Sequence, residues 1–174
     1  YYVVEAKKGQ RISVEIEAMR LGTALFDAYV AILNSKRFEL SSAHDSPLIY
    51  QDALASAIAP EDGKYIIEVR ESAYGNGNRY RLHVGTFPRP TAIYPAGGKF
   101  GEDIDVKFIG DPSGVIAKKF KLPPGPKTAF ALHANTKDGI SPTGNPFRLF
   151  EHGNVLEKEP NNSAKEATPA TLPL

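Results

Sequence analysis

The sequence predicts an all-β fold, and three observations carry that expectation. Apolar and polar residues alternate with a period of two in four separate stretches. Clusters of glycine, proline, asparagine and aspartate stand between the stretches. The stretches are also short, and short strands punctuated by turn residues are the pattern of a sandwich or barrel.

In chain order, Tyr1-Tyr2-Val3-Val4 reads as the inside of a strand. Ile12, Val14, Ile16 and Ala18 then alternate with Arg11, Ser13, Glu15 and Glu17, as in a strand with one buried face. Tyr65, Ile67 and Val69 alternate with Glu68 and Arg70, and Tyr80, Leu82 and Val84 with Arg81 and His83. Ile104, Val106 and Phe108 alternate with Asp103, Asp105 and Lys107. This pattern predicts antiparallel sheets, each with one wet face. The separators are Lys8-Gly9, Glu61-Asp62-Gly63, Gly75-Asn76-Gly77-Asn78, Asp111-Pro112-Ser113-Gly114 and Pro123-Pro124-Gly125-Pro126.

Two stretches fit either period. Leu21, Ala24, Leu25, Ala28 and Ile32 have helical spacing, yet Phe26, Ala28, Val30 and Ile32 also alternate. Ala53 to Ala59 is alanine-rich enough for a helix. A boundary is expected near position 88, because only Pro47 and Pro60 of the 14 prolines precede Phe87. Pro88-Arg89-Pro90 cannot continue a central strand, since proline lacks a donor and restricts its predecessor. About seven strands are expected before this point and four or five after it, as two small β domains on a stiff linker. Leu156 to Leu174 has few large apolar residues and is expected to be disordered unless it docks. Within it, Ser163 and Glu166 are spaced to cap a single helical turn.

Composition narrows the function classes. Lys and Arg number 21 against 20 Asp and Glu, so the net charge of +1 gives no electrostatic footprint for nucleic acid. The longest apolar run, Ala28 to Leu33, is too short for a membrane-spanning helix. The absence of cysteine removes disulfides, thiolate metal sites and a cysteine nucleophile. The N-terminus carries no basic leader pattern, and the chain reads as a segment of something longer.

Tyr1 to Gln10, the run Leu25 to Leu33, Asp45-Ser46, the run Ala59 to Arg70 and Tyr80-Arg81-Leu82 together resemble the bacterial pre-peptidase C-terminal domain. That family has a Pro-x-x-Gly-x-Tyr turn-and-strand signature, and Pro60, Gly63 and Tyr65 match it. The resemblance spans residues 1 to 86. It implies a jelly-roll-like antiparallel β-sandwich related to the collagen-binding domains of clostridial collagenases, with strands at both ambiguous stretches. Pro90 to Gly110, through Tyr94-Pro95-Ala96-Gly97-Gly98, resembles the opening of an immunoglobulin-like bacterial repeat, which implies a smaller Ig-like sandwich. The tail, with Glu157-Lys158-Glu159-Pro160-Asn161-Asn162 and Leu172-Pro173-Leu174, resembles the start of a further pre-peptidase domain. The implied organisation is residues 1–87, a sandwich lacking its opening segment; 88–151, the Ig-like unit; and 152–174, a linker and the next opening segment.

His44-Asp45-Ser46 holds the residue types of a hydrolase triad, but consecutive residues diverge and cannot form the relay. No Gly-x-Ser-x-Gly elbow and no His-x-x-x-His pair occurs. Asp103 and Asp105 could reach the separation of about 5–10 Å used in glycoside hydrolysis, yet a solvated strand face accounts for them. Lys118, Lys119 and Lys121 read the same way. Glu157, Glu159, Asn161 and Asn162 offer hard oxygen ligands of the kind a roughly 6–8-coordinate calcium ion takes. The resemblance implies the same ion, since the collagen-binding relatives pair such a run with two aspartates ahead of the Tyr-x-Val strand. Here Asn162 replaces the final family aspartate, and the aspartate pair would fall before Tyr1, so a plain linker remains the other reading.

The expected function is a non-catalytic module of a large, secreted or cell-surface, multidomain bacterial protein. It would act as spacer, folding support or weak surface-binding domain, with no enzyme activity. Flanking domains of the same protein are its expected partners, with no nucleic acid and no membrane. The phase of the repeat adds a self-association in which the tail completes another copy by strand addition. Two alternatives remain: a carbohydrate- or collagen-binding module of a secreted hydrolase, for which Tyr74, Tyr80 and Tyr94 are the aromatic candidates, and a calcium-stiffened joint between repeats.

Overall fold

The alternating stretches pair into antiparallel sheets, and the chain is an all-β sandwich fold. The computed structural model describes residues 1–22, 25–75 and 79–172. Among them the one helical element is a 3-10 turn, Met19–Leu21.

The first half contains β1 (Tyr2–Ala6), β2 (Arg11–Glu17), β3 (Ala28–Asn34), β4 (Glu39–Ala43), β5 (Leu54–Ile58), β6 (Gly63–Glu71) and β7 (Arg81–Gly85). One sheet has the order β1-β6-β3-β4 and a second the order β5-β2-β7. Their facing sides bury Val14, Ile16, Val30, Ile32, Tyr65 and Ile67. Burying a side chain of this size contributes about 1.5–3 kcal/mol relative to leaving it exposed.

Both ambiguous stretches are strands. β3 carries Val30 and Ile32 into the core, while Ala31 and Leu33 on its other side are also buried. A strand covered on both sides loses its polar phase, which is why its period was unreadable. In β5 the alanine-rich run places Ala55 and Ala57 in the core at alternate positions. Ala24, part of the helical spacing, lies outside the described residues, as do Asn76, Gly77 and Asn78 of the glycine–asparagine turn.

The Pro-x-x-Gly-x-Tyr run has a physical reason. Tyr65 is 1% exposed, and its hydroxyl donates to the Glu61 carbonyl at 2.7 Å, so a buried phenol closes its own turn. Asp62 fixes the same turn to the β1–β2 loop by accepting from the Lys8 amide at 2.7 Å.

The second half contains β8 (Ala92–Tyr94), β9 (Gly97–Lys99), β10 (Asp103–Ile109), β11 (Ile116–Lys121), β12 (Ala131–Leu132), β13 (Asn135–Thr136), β14 (Gly139–Ile140), β15 (Asn145–Pro146) and β16 (Arg148–Phe150). A three-stranded sheet β11-β10-β8 is joined by the pairs β12-β15, β13-β14 and β16-β9, the last of them parallel. Among the described residues nine strands stand here against the expected four or five; five have three residues or more, and the other four are two-residue ladders without a readable period. The core is Val106, Phe108, Leu122, Leu132, Ala134 and Phe147. On the wet face of β10 and β11, Asp103 faces Lys121 at 3.6 Å and Asp105 faces Lys119 at 3.7 Å. Both pairs are well exposed and contribute little.

One expectation fails at β2. Alternation predicts a wet polar phase, but Arg11 is 7% exposed and Ser13 and Glu15 are 0% exposed. Pro88, Arg89 and Pro90 are also buried, so the segment read as a stiff linker runs inside the molecule. The polar side of the β5-β2-β7 sheet is covered by the chain that follows it.

Candidate functional site: a buried ionic joint

The cover fits because of a row of small residues. Ser56, Ser13 and Gly85 lie side by side across β5, β2 and β7. Phe87 crosses over them: a side chain at Gly85 would stand 3.1 Å from its ring. Ser13 Oγ donates to the Phe87 carbonyl at 2.7 Å and meets Ser56 Oγ at 2.8 Å. Above and below this row stand two charged clusters.

The first joins β2 to the turn after β10. Arg11 Nη2 donates to Asp111 Oδ1 at 2.9 Å and to Ser113 Oγ at 2.9 Å, and Nη1 donates to the Thr86 carbonyl at 2.9 Å. Asp111 Oδ2 accepts from the Arg89 amide at 2.7 Å, while its Oδ1 accepts from the Ser113 amide at 2.8 Å. Both side chains are buried, so this pair is charge-assisted and fully committed.

The second cluster centres on Glu15. Arg89 Nε faces Glu15 Oε2 at 2.9 Å, an ionic contact rather than a well-aligned hydrogen bond. Arg20 Nη2 donates to Glu15 Oε1 at 3.1 Å, and Thr143 Oγ1 donates to the same oxygen. Arg20 Nε reaches Asp52 Oδ2 at 2.5 Å, and Arg20 Nη1 donates to Thr143 Oγ1 at 2.8 Å. Asp52 Oδ1 also accepts from the amides of Ala18 and Met19, at 3.0 and 2.7 Å, and so holds the 3-10 turn that positions Arg20. Arg89 Nη1 donates to the Thr143 carbonyl at 3.2 Å. Burial lowers the Arg89 guanidinium below its ordinary value, with Glu15 opposing and neighbouring Arg20 adding to the effect. Burial would also lower Arg20, but its hydrogen bonds to Asp52 and Glu15 outweigh that and raise it.

Three arginines thus meet three buried carboxylates, Glu15, Asp52 and Asp111, and two of the pairs, Arg11–Asp111 and Arg89–Glu15, link the two halves of the chain. Each acid is held by arginine, hydroxyl or backbone donors, which suits fixing an orientation.

The residues singled out from sequence lie elsewhere. Asn161 gathers two of the four proposed metal ligands: its Nδ2 donates to Glu157 Oε2 at 2.8 Å and its backbone amide to Glu159 Oε2 at 3.0 Å. Asn162 is exposed beside them. Among the described residues no group of three or more His, Cys, Asp or Glu side chains gathers. Ser163 and Glu166 close a turn through Ser163 Oγ and Glu166 Oε2 at 2.8 Å. Leu172 is exposed and Leu174 lies outside the described residues. His44 and Asp45 pair at 3.1 Å on the surface, while Ser46 is buried and accepts from the Leu54 amide at 3.1 Å, so the three diverge. The three tyrosines separate: Tyr80 packs on Phe26 in the first core, Tyr94 is on β8, and Tyr74 stands exposed after β6.

Arg11, Glu15, Asp52, Arg89 and Asp111 were not singled out from sequence. Alternation tells which phase of β2 is polar, not what lies over it. Asp111 was read as a turn residue, and it is one through its Oδ1; its other oxygen takes the Arg89 amide.

Comparison with known proteins adds no relative: no family model, no curated protein and no solved structure matches the chain.

Proposed function

We propose that this chain is a non-catalytic spacer module of a secreted or cell-surface multidomain bacterial protein, which holds its neighbours at a fixed angle. The observation that carries this reading is the Glu15–Arg89 contact with its partners Arg20 and Thr143. Contacts between domains of one chain permit relative motion by default. A buried ion pair opposes it, because any rotation that separates the ions strands a charge away from water. The resemblance of residues 1–86 to the pre-peptidase C-terminal domain supports the extracellular placement. In a weakly aligned sample, backbone dipolar couplings from β1–β7 and from β8–β16 are expected to fit one common alignment tensor. Two tensors of different magnitude would sink the reading.

A second reading, a calcium-stiffened joint in the tail, is favoured by Asn161, which donates to both the Glu157 and the Glu159 carboxylate. Carboxylates and amide oxygens are the donor types a hard cation takes. These four residues would hold it, and the ion would tie residues 157–162 together.

A further inference from the structure

The outer face of the β1-β6-β3-β4 sheet carries an aromatic–cation cluster that the joint does not use. Tyr29 on β3 stands directly opposite Arg70 on β6, and the guanidinium carbon lies 3.9 Å from the centre of the tyrosine ring. The ring of Tyr74 also lies against the same guanidinium, its centre 4.7 Å from the guanidinium carbon. Tyr74 is 75% exposed and has a φ of 61°, in the left-handed region where a bulky side chain is uncommon and strained. Tyr50 shares the exposure, at 81%, and a φ of 61°, but among the described residues no cation stacks on it.

Three carboxylates border the cluster. Glu68 Oε1 lies 3.5 Å from Arg70 Nε, Glu39 Oε2 accepts from the Tyr29 hydroxyl at 3.0 Å, and Glu71 Oε2 accepts from the Gly75 amide at 2.8 Å. With one arginine against three acids, these groups carry two negative charges in excess. Two rings thus share one cation, and the exposed ring of Tyr74 stands among groups of net negative charge. A ring face attracts cations through its quadrupole, and the surrounding carboxylates add to that attraction. An anion is repelled there, and a neutral sugar gains nothing from the field.

We propose that the exposed ring of Tyr74 docks an arginine or lysine side chain from a basic peptide segment of a partner protein. The probe is N-acetyl tetra-arginine amide, titrated into the isotopically labelled full chain while the resonances of Tyr74 and the Arg70 side chain are followed. Shifts confined to these residues and their neighbours on β3 and β6 are expected. Tyr74→Ala should weaken binding about two- to fivefold, the range of an exposed cation–π contact, and Tyr74→Phe should retain it because the ring face persists. Tyr50→Ala should leave affinity unchanged. Equal affinity in Tyr74→Ala and the native chain would overturn the proposal. So would cellotetraose shifting Tyr74 where the peptide does not, since the face would then belong to a glycan.

Discussion

The hydroxyls of Tyr2 and Tyr80 meet at 2.7 Å beside the first core, where the Tyr80 ring lies 5.7 Å from that of Phe26. Burial, reinforced by the Tyr2 hydroxyl, pushes Tyr80 up to about 12. An unperturbed tyrosine titrates near ~10. Between these values the native state holds a proton that the unfolded chain has released, so stability falls as pH rises. The contribution is whole below about pH 10 and is lost as pH passes through about 12. Tyr80→Phe keeps the ring and removes the titration. Urea midpoints measured from about pH 9 to about pH 12 should fall more steeply in the native chain than in Tyr80→Phe. Parallel slopes would show that the pair does not titrate in this way. The sequence placed Tyr80 on the apolar phase of its strand, and that was enough to find the ring. The hydroxyl's partner sits 78 residues away in the chain, beyond the reach of any local pattern.

At the scale of the element, alternation is legible on β10, where one face meets water, but not on β7, where apolar-phase Val84 is exposed and polar-phase His83 is half-buried. On β10 the buried Val106 and Phe108 and the exposed Asp105 and Lys107 fall on the phases that the sequence indicates. β3 hid its period because both faces are apolar, and β2 hid its role because a polar face under cover looks the same as one in water. The tail is the opposite case, where local spacing says nearly all there is to say. Glu157, Glu159 and Asn161 come together within five residues because the turn at Asn161 gives both carboxylates a donor. If calcium takes those oxygens, a thermal melt in excess calcium should lie above one in chelator. A ligand at a hundredfold over its Kd stabilises by ~2.7 kcal/mol, which at ~2–4 °C per kcal/mol for a chain of this size gives a shift of several degrees. Glu157→Ala with Glu159→Ala should abolish the shift. Coincident melts in calcium and chelator, together with unchanged amide exchange at Asn161, would leave residues 157–162 as a plain connector. Since the tail packs little, the shift can reach the global melt only if the ion ties the tail to the β-sheet body. A local probe, amide exchange at Asn161, should therefore be read alongside it.

Across the whole molecule, the burial of Glu15 and Arg89 raises the question of what an ionic joint does that an apolar one would not. Removing one partner is costly: Arg89→Ala leaves Glu15 buried with less compensation and should destabilise by about 3–5 kcal/mol. Replacing both charges is different, because the desolvation of two ions disappears along with their attraction. Glu15→Leu with Arg89→Met should recover most of the loss and come near native stability. Arg20 stays paired with Asp52 in that variant, so no new charge is stranded. Apolar contact is non-directional, however, while the native contacts of Glu15 with Arg89, Arg20 and Thr143 admit one geometry. Fixed orientation, not stability, is then the property lost. The chain has no cysteine, which allows spin labels to be placed at exposed Lys36→Cys and Lys119→Cys, one on each half. The native joint should give a narrow distribution of label distances and Arg89→Ala a broad one. The double variant should melt like the native chain yet remain broad. A double variant that is both stable and narrow would place the orientation with Arg11 and Asp111 instead, and Arg11→Met would then be the substitution that releases it.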